Sequence, residues 1–248
     1  AFFKALLFLG SGSVIHGLHG EQDMRKMGAL KDKMPITYAV MLIGTLAIAG
    51  IFPFAGFFSK DEILFKALVD GHVIYWAVAA GAAMMTAFYM FRLIFMTFHG
   101  EKRWDPHVHP HESPPVMTIP LIILAVLSTV GGFVGMPLIE GWNLFHDFLA
   151  PSIAHVHKPA VHHAMSFEIT MMLVSIGVAL TGIYLAYKMY IKEPELPAEV
   201  TAKVPGLYEL IYNKYYVDEL YDATVVQPVV NGSIFLWQQA DSRFIDGI

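Results

Sequence analysis

The chain has 248 residues, of which 56% are hydrophobic and 15% charged, with a formal net charge of −5 and a mean hydropathy of +0.53. Charged content this far below the roughly 25% of soluble domains excludes an ordinary soluble enzyme and a disordered chain, and the acidic balance excludes a nucleic-acid-binding face. The absence of cysteine excludes disulfides, iron–sulfur clusters and thiolate zinc sites, so any redox centre must sit on another chain.

The opening run, 1–18, is apolar apart from Lys4 and His16. It has no initiator Met and no basic leader, so it does not read as a signal peptide. We expect a membrane helix entered partway and hence a C-terminal fragment of a longer chain. A bilayer core needs about 20 apolar residues in a helix. Four further uncharged stretches meet or approach that length: 35–59, 71–91, 113–139 and 169–187. The expected fold is an all-α, polytopic transmembrane bundle of about five spans. With five crossings, the segments 19–34, 99–112 and 188–216 fall on one face and together carry ten Lys and Arg. The other face carries Lys158 alone in its long loop. That bias assigns the basic face to the cytoplasmic side.

The second span is too long. Residues 36–68 would make a straight helix of roughly 50 Å, and Pro53 and Gly56 lie inside it. Pro53 removes an amide donor and clashes with the carbonyl of Ala49. Broken backbone at membrane depth is tolerated only inside protein or against a water-filled cavity. The expectation is one discontinuous helix with Lys60 just after the break. A Pro-kinked span ending near Phe58, with Lys60, Asp61 and Glu62 in the interface, is the alternative. It leaves Lys60 at the non-basic face and the apolar stretch up to Val69 without a role.

Under the broken-helix reading Lys60 is an intramembrane ammonium, at a cost of about 2.5–3.5 kcal/mol, and so a candidate functional group. Lys4 is a second candidate. Its neighbours are apolar and it lies roughly 22 Å from the polar loop at His19, although it can also snorkel at the far end. Lysines removed from water lose proton affinity, and so can exchange a proton near neutral pH. Asp61 is a next proton station. Arg92 and Lys66 lie close to the faces and read as snorkelling.

Twelve histidines are present. His107, His109 and His111 sit in one loop, and His155, His157, His162 and His163 in the opposite one. Neither group lies on a rigid element, so both read as variable polar loop and no metal site is expected. His16 lies near a helix end, at the interface or as a relay. Gly10-Ser11-Gly12-Ser13 reads as small residues that let helices approach. From Val217 onward apolar residues recur at helical spacing with acidic ones between them, too polar to span, with Pro228 as a potential kink. This suits an amphipathic helix along a membrane or a partner. The organisation expected is a bundle at 1–190, a cytoplasmic-side linker at 191–216 and the start of an amphipathic helix at 217–248.

Four segments carry a family resemblance: Phe2 to His16, the Glu21-Gln22-Asp23-Met24-Arg25-Lys26-Met27-Gly28 loop, Gly56-Phe57-Phe58-Ser59-Lys60-Asp61-Glu62-Ile63-Leu64, and Tyr216 to Asp222. They resemble the NuoL-type antiporter-like subunits of respiratory complex I. The resemblance implies proton translocation coupled to NADH–quinone oxidoreduction, as a subunit of a redox-driven translocase with no redox chemistry on this chain. It implies proton transfer by Lys4, Lys60 and Asp61, with His16 and Glu62 as secondary candidates and Pro53 and Gly56 at the helix break. NADH, FMN, iron–sulfur clusters and quinone are implied on or between other subunits, with no cofactor here. The implied partners are neighbouring antiporter-like subunits, braced through a lateral helix at 217–248, and the lipid bilayer of a bacterial or mitochondrial inner membrane, with no nucleic acid. Mrp-type sodium/proton antiporter and membrane-bound hydrogenase subunits share these motifs, and a bracing arm without transport is a rival of another class.

Overall fold

The computed structural model describes residues 2–135, 148–149, 151–152 and 165–247, and their regular elements are all helical. In residues 1–194 six helices follow one another: α1 (Phe2–Gly17), α2 (Pro35–Ala49), α3 (Ala55–Val69), α4 (Val73–Phe98), α5 (Pro115–Val130) and α6 (Met165–Tyr187). The histidines at 155, 157, 162 and 163, Lys158 and the expected end of the fourth span at 139 lie outside the described residues.

Three helices are long and apolar enough to cross a membrane: Val73–Phe98, Pro115–Val134 and Ser166–Lys192. Phe2–Gly17 and Pro35–Ala49 are apolar but shorter. The stretch expected at 71–91 runs on to Phe98 because Arg92 does not mark a boundary. Its guanidinium lies 5.4 Å from the Tyr190 ring centroid, and its Nε is buried. A cation–π contact with one aromatic face here replaces the expected snorkelling to water. The stretch expected at 169–187 starts at Met165 and continues through a π-helical turn, Lys188–Lys192.

Burial runs opposite to that of a soluble domain. Ser13, Thr37, Thr45, Thr97 and Ser128 are buried, while Ile74, Val116, Ile123 and Leu173 are exposed. In a lipid solvent large apolar side chains gain nothing by hiding, so helices pack instead through small residues and hydrogen-bonded polar ones. On α6, Gly182 is the clearest case: a Cβ there would strike the Met84 carbonyl of α4. Around it Ala87, Phe91, Ala179 and Ala186 form one cluster with Ala49. Leu6, Val40, Leu121 and Ala125 join α1, α2 and α5 in another. Of the small residues 10–13 in α1, Gly10 receives Met41 and Ser13 is buried, whereas Gly12 faces open space.

The loops at the basic end are tied together. The amides of Ala29 and Lys31 donate to the carbonyls of His99 and Phe98, each at 3.1 Å. The Arg103 guanidinium donates to the carbonyls of Met96 (2.6 Å) and Arg25 (3.1 Å), and Trp104 Nε1 to Gly28 (3.0 Å). Gly28, at φ 120°, lies against the Glu101 carbonyl, where no side chain fits. Asp23 caps the short 3₁₀ turn Met24–Lys26. The Arg25 side chain and amide hold its carboxyl down to about 2.

Residues 195–248 form a second unit. It contains α7 (Leu196–Lys203) and α8 (Pro205–Tyr212), then a left-handed turn over Lys214, Tyr215 and Tyr216 at φ 53–61°. A helical run, α9, then continues from 217 to 245. Instead of kinking at Pro228, the run passes through a π-helical turn, Asp222–Val226, just before it. A π turn is one way a helix absorbs a missing amide donor. Val217, Leu220, Tyr221, Val225 and Val229 are exposed along it.

Candidate functional site: a helix break closed by a lysine

The site is built on the end of α2. Gly50 adopts the left-handed conformation (φ 79°, ψ 38°), its amide turning back to the Ala47 carbonyl at 3.2 Å and that of Ile51 to Leu46 at 3.1 Å. This is the helix-ending motif that glycine adopts without a Cβ penalty. The Phe52–Pro53 peptide is cis. Phe54 is extended, and α3 begins at Ala55. The interruption therefore covers residues 50–54, with Pro53 inside it. Gly56 does not interrupt the chain: it is the second residue of α3. A Cβ there would collide with the Ala47 carbonyl, so its hydrogen lets the two half-helices touch.

Ending α2 frees carbonyls that have no amide four residues on. One of them, on Ile48, accepts a hydrogen bond from Lys60 Nζ at 2.9 Å. Lys60 thus reaches back from the second turn of α3 across the break, its stem packed beside Gly50. The negative end of the α2 dipole and a free carbonyl both favour an ammonium there. A hydrogen bond to a charged group contributes about 1.5–3 kcal/mol, comparable to the insertion cost of one lysine. The break itself thus stabilises the charge that would otherwise be expelled.

Asp61, next in sequence, points elsewhere. It is 7% exposed, and one carboxylate oxygen has no partner among the described residues. Ser175 of α6 is its hydrogen-bonding neighbour. Glu62 pairs with Lys66 one turn on. Together with Ser59 it lines a cavity of about 330 Å³ closed by Phe58, Gly131 and Gly132. Phe52, Phe57, Phe58 and Phe133 stack edge-on or tilted at 5.5–6.2 Å around the break. Thr45, fully buried one turn before Ile48, has an unpartnered hydroxyl among the described residues.

The structure does not gather every candidate. Lys4 lies on the exposed face of α1, away from Leu6, Gly10 and Ser13, which pack inward. His16 is exposed in the last turn of α1, its ring 5.5 Å from that of His111. Ser175, Thr45 and Tyr190 carried no signal in the sequence, because each looks like an ordinary residue of an apolar helix.

These features define a helical membrane protein with one interrupted helix and a lysine bound at the interruption. Two family models match it. That described as NADH:quinone oxidoreductase/Mrp antiporter, TM, covers residues 1–87. That described as the TMs and C-terminus of an NADH-dehydrogenase (complex I) membrane component covers residues 80–196. NADH-quinone oxidoreductase subunit L of Rhodobacter capsulatus is 36% identical over all of this chain and 44% of its own length. NAD(P)H-quinone oxidoreductase chain 5 of Picosynechococcus is 43% identical over all of this chain and 41% of its length. Subunit L of Mycobacterium tuberculosis is 44% identical over 92% of the chain and 35% of its length. The chain belongs to the family of NuoL-type antiporter-like subunits. It spans roughly two fifths of the length of the curated relatives it matches.

Proposed function

We propose that this chain is part of a proton-translocating membrane subunit of an NADH–quinone oxidoreductase. The observation that carries the reading is Lys60 Nζ bonded to the Ile48 carbonyl across a broken helix. A proton on Lys60 is held by that bond and by the α2 dipole, and loss of the proton releases both. The bond therefore ties the side chain's position to its charge, which a carrier between two half-paths requires. Asp61, buried beside Ser175, is the next station toward the non-basic face, and Lys4 a further carrier on α1. Moving one charge across 100 mV costs about 2.3 kcal/mol, within what one such bond supplies.

The ten basic residues of 19–34, 99–112 and 188–216 belong on the cytoplasmic or matrix side. Residues 217–248 are the start of a lateral helix laid along neighbouring antiporter-like subunits. NADH, FMN, iron–sulfur clusters and quinone belong on or between other subunits. A second reading, a subunit of an Mrp-type sodium/proton antiporter, is favoured by the description of the family matched at 1–87. The two separate by the dependence of transport on NADH and by its response to sodium.

The test is Lys60→Ala in the full-length protein, assembled in its complex in inverted vesicles. Proton uptake driven by NADH should fall sharply, while Lys60→Arg, which keeps a charge that never leaves, should also fail to pump. Unchanged pumping in Lys60→Ala rules the assignment out.

A further inference from the structure

At the basic end of the bundle, the start of α2 is closed from outside. α2 begins at Pro35, and its first amides have no partner within the helix. Glu112, from the segment before α5, supplies them: one carboxylate oxygen accepts from the Ile36 amide at 2.7 Å and the Thr37 amide at 3.2 Å. The other accepts from the Thr37 hydroxyl and from the Ser113 amide at 3.2 Å. Behind Thr37 the polar contacts continue inward. Thr37 Oγ1 and Ser13 Oγ are 2.8 Å apart, Ser13 Oγ and Ser113 Oγ 2.7 Å, and Ser113 Oγ reaches the Ser13 carbonyl at 3.2 Å. Ser13 and Thr37 are fully buried and Ser113 nearly so.

A cap needs only the carboxylate. The hydroxyl chain behind it does something further, because it is complete in either of two polarities. With Glu112 ionised, Ser13 donates to Thr37, Thr37 to Glu112, and Ser113 to the Ser13 carbonyl. With Glu112 protonated, its O–H donates to Thr37, Thr37 to Ser13, Ser13 to Ser113, and Ser113 again to the carbonyl. Every hydroxyl proton has an acceptor in both states, and only rotation about C–O bonds separates them. Buried polar groups left unpaired cost about 1–3 kcal/mol each, so a carboxylate backed by an inflexible donor set would resist a proton that this arrangement accommodates.

The titratable groups around it are imidazoles. His111 adjoins Glu112 in the chain, and its ring stands 5.5 Å from that of His16 on α1 and 5.4 Å from that of His19 in the following turn. All three are exposed. From α2 the carboxylate meets amides and a hydroxyl. The site is separate from the helix break, at the opposite end of α2.

We propose that Glu112 is a proton-loading residue of the basic face, charged through the His16, His19 and His111 imidazoles. In the loading step an imidazolium N–H breaks, a carboxyl O–H forms on Glu112, and the hydroxyl chain reverses. The proposal rests on the transport reading and adds the residue through which protons enter.

The test uses the full-length protein in its complex. Glu112→Gln keeps an oxygen to accept the α2 amides and cannot take up a proton, whereas Glu112→Ala removes the cap as well. NADH-driven proton uptake by Glu112→Gln should slow by about tenfold or more, since a positioned proton-transfer group contributes on the order of 10²–10⁴. The loss should grow as the pH on the basic side rises and bulk protons become scarce. Acidification of the wild type should also raise an infrared carboxylic-acid C=O band that Glu112→Gln lacks. Superimposable pH profiles for wild type and Glu112→Gln overturn the loading role, as does a band unchanged by the substitution. A Glu112→Gln protein as slow as Glu112→Ala with an equally lowered melting temperature also overturns it, because the residue is then a structural cap. Normal pumping by Lys60→Ala overturns the transport reading instead, and the infrared band still reports whether Glu112 takes up a proton.

Discussion

Lys60 and Gly56 lie four residues apart in one motif and do different jobs. Lys60 is legible from sequence: an ammonium in an apolar stretch needs a partner, and a nearby proline says that backbone carbonyls are free. Which carbonyl it takes, that of Ile48, depends on how the chain folds back. Gly56 is read from sequence as part of the break, because glycine and proline both interrupt helices. Here it lies within α3, at the point where the half-helices touch. Gly56→Ala should therefore destabilise the protein by about 1–3 kcal/mol through overpacking against backbone. A lower melting temperature of the purified full-length protein checks it, and a melting temperature equal to wild type contradicts the close-approach role. Lys4 shows the limit of reading neighbours in sequence. Its apolar surroundings along the chain are plain, yet it lies on a face that the rest of this chain leaves uncovered.

At the scale of elements, α2 is held at both ends by groups from other segments. Glu112 closes its N-terminus and Lys60 its C-terminus, each with the charge that the helix dipole favours. Residue spacing reveals neither contact, since the partners are 76 and 12 positions away. The loops of the basic end are likewise more ordered than their polar composition suggests. His99, just past α4, contacts the Tyr38 hydroxyl at 3.2 Å. Burial first, and then the Lys31 ammonium, hold its imidazole below the usual range. In the unfolded chain it binds a proton near pH 6.5, so between that value and its folded one the unfolded state carries more protons, and stability rises with pH. Its contribution is present above about pH 6.5 and is lost on acidification. Trp104, hydrogen-bonded to Gly28 in the same layer, offers the readout. Its fluorescence should change reversibly on acidification, and His99→Gln should flatten that response.

For the molecule as a whole, membrane class and helical content follow from composition and from the length of uncharged runs. These depend on solvation energies that every residue carries with it. Neighbour choice does not. Gly177 and Gly182 both lie on α6 and look equivalent in sequence, yet Gly182 meets the α4 backbone and Gly177 meets nothing within 4 Å. Gly182→Leu should cost about 1–3 kcal/mol by overpacking and Gly177→Leu little, measured as detergent-solubilised melting temperatures of the two variants. Equal effects contradict the pairing of α4 with α6.

The sequence by itself determined that this chain is an apolar helical membrane protein with one helix that cannot run straight and a lysine beside the fault. Each of these depends on a local balance: apolar length against bilayer thickness, a missing amide, an ammonium in an apolar run. The tertiary structure decided which carbonyl that lysine takes, that Asp61 turns toward α6, that Lys4 faces outward and that Glu112 closes the far end of α2. Those contacts join segments up to a hundred residues apart, and they are selected by which small residues let two helices approach, a property of pairs of surfaces.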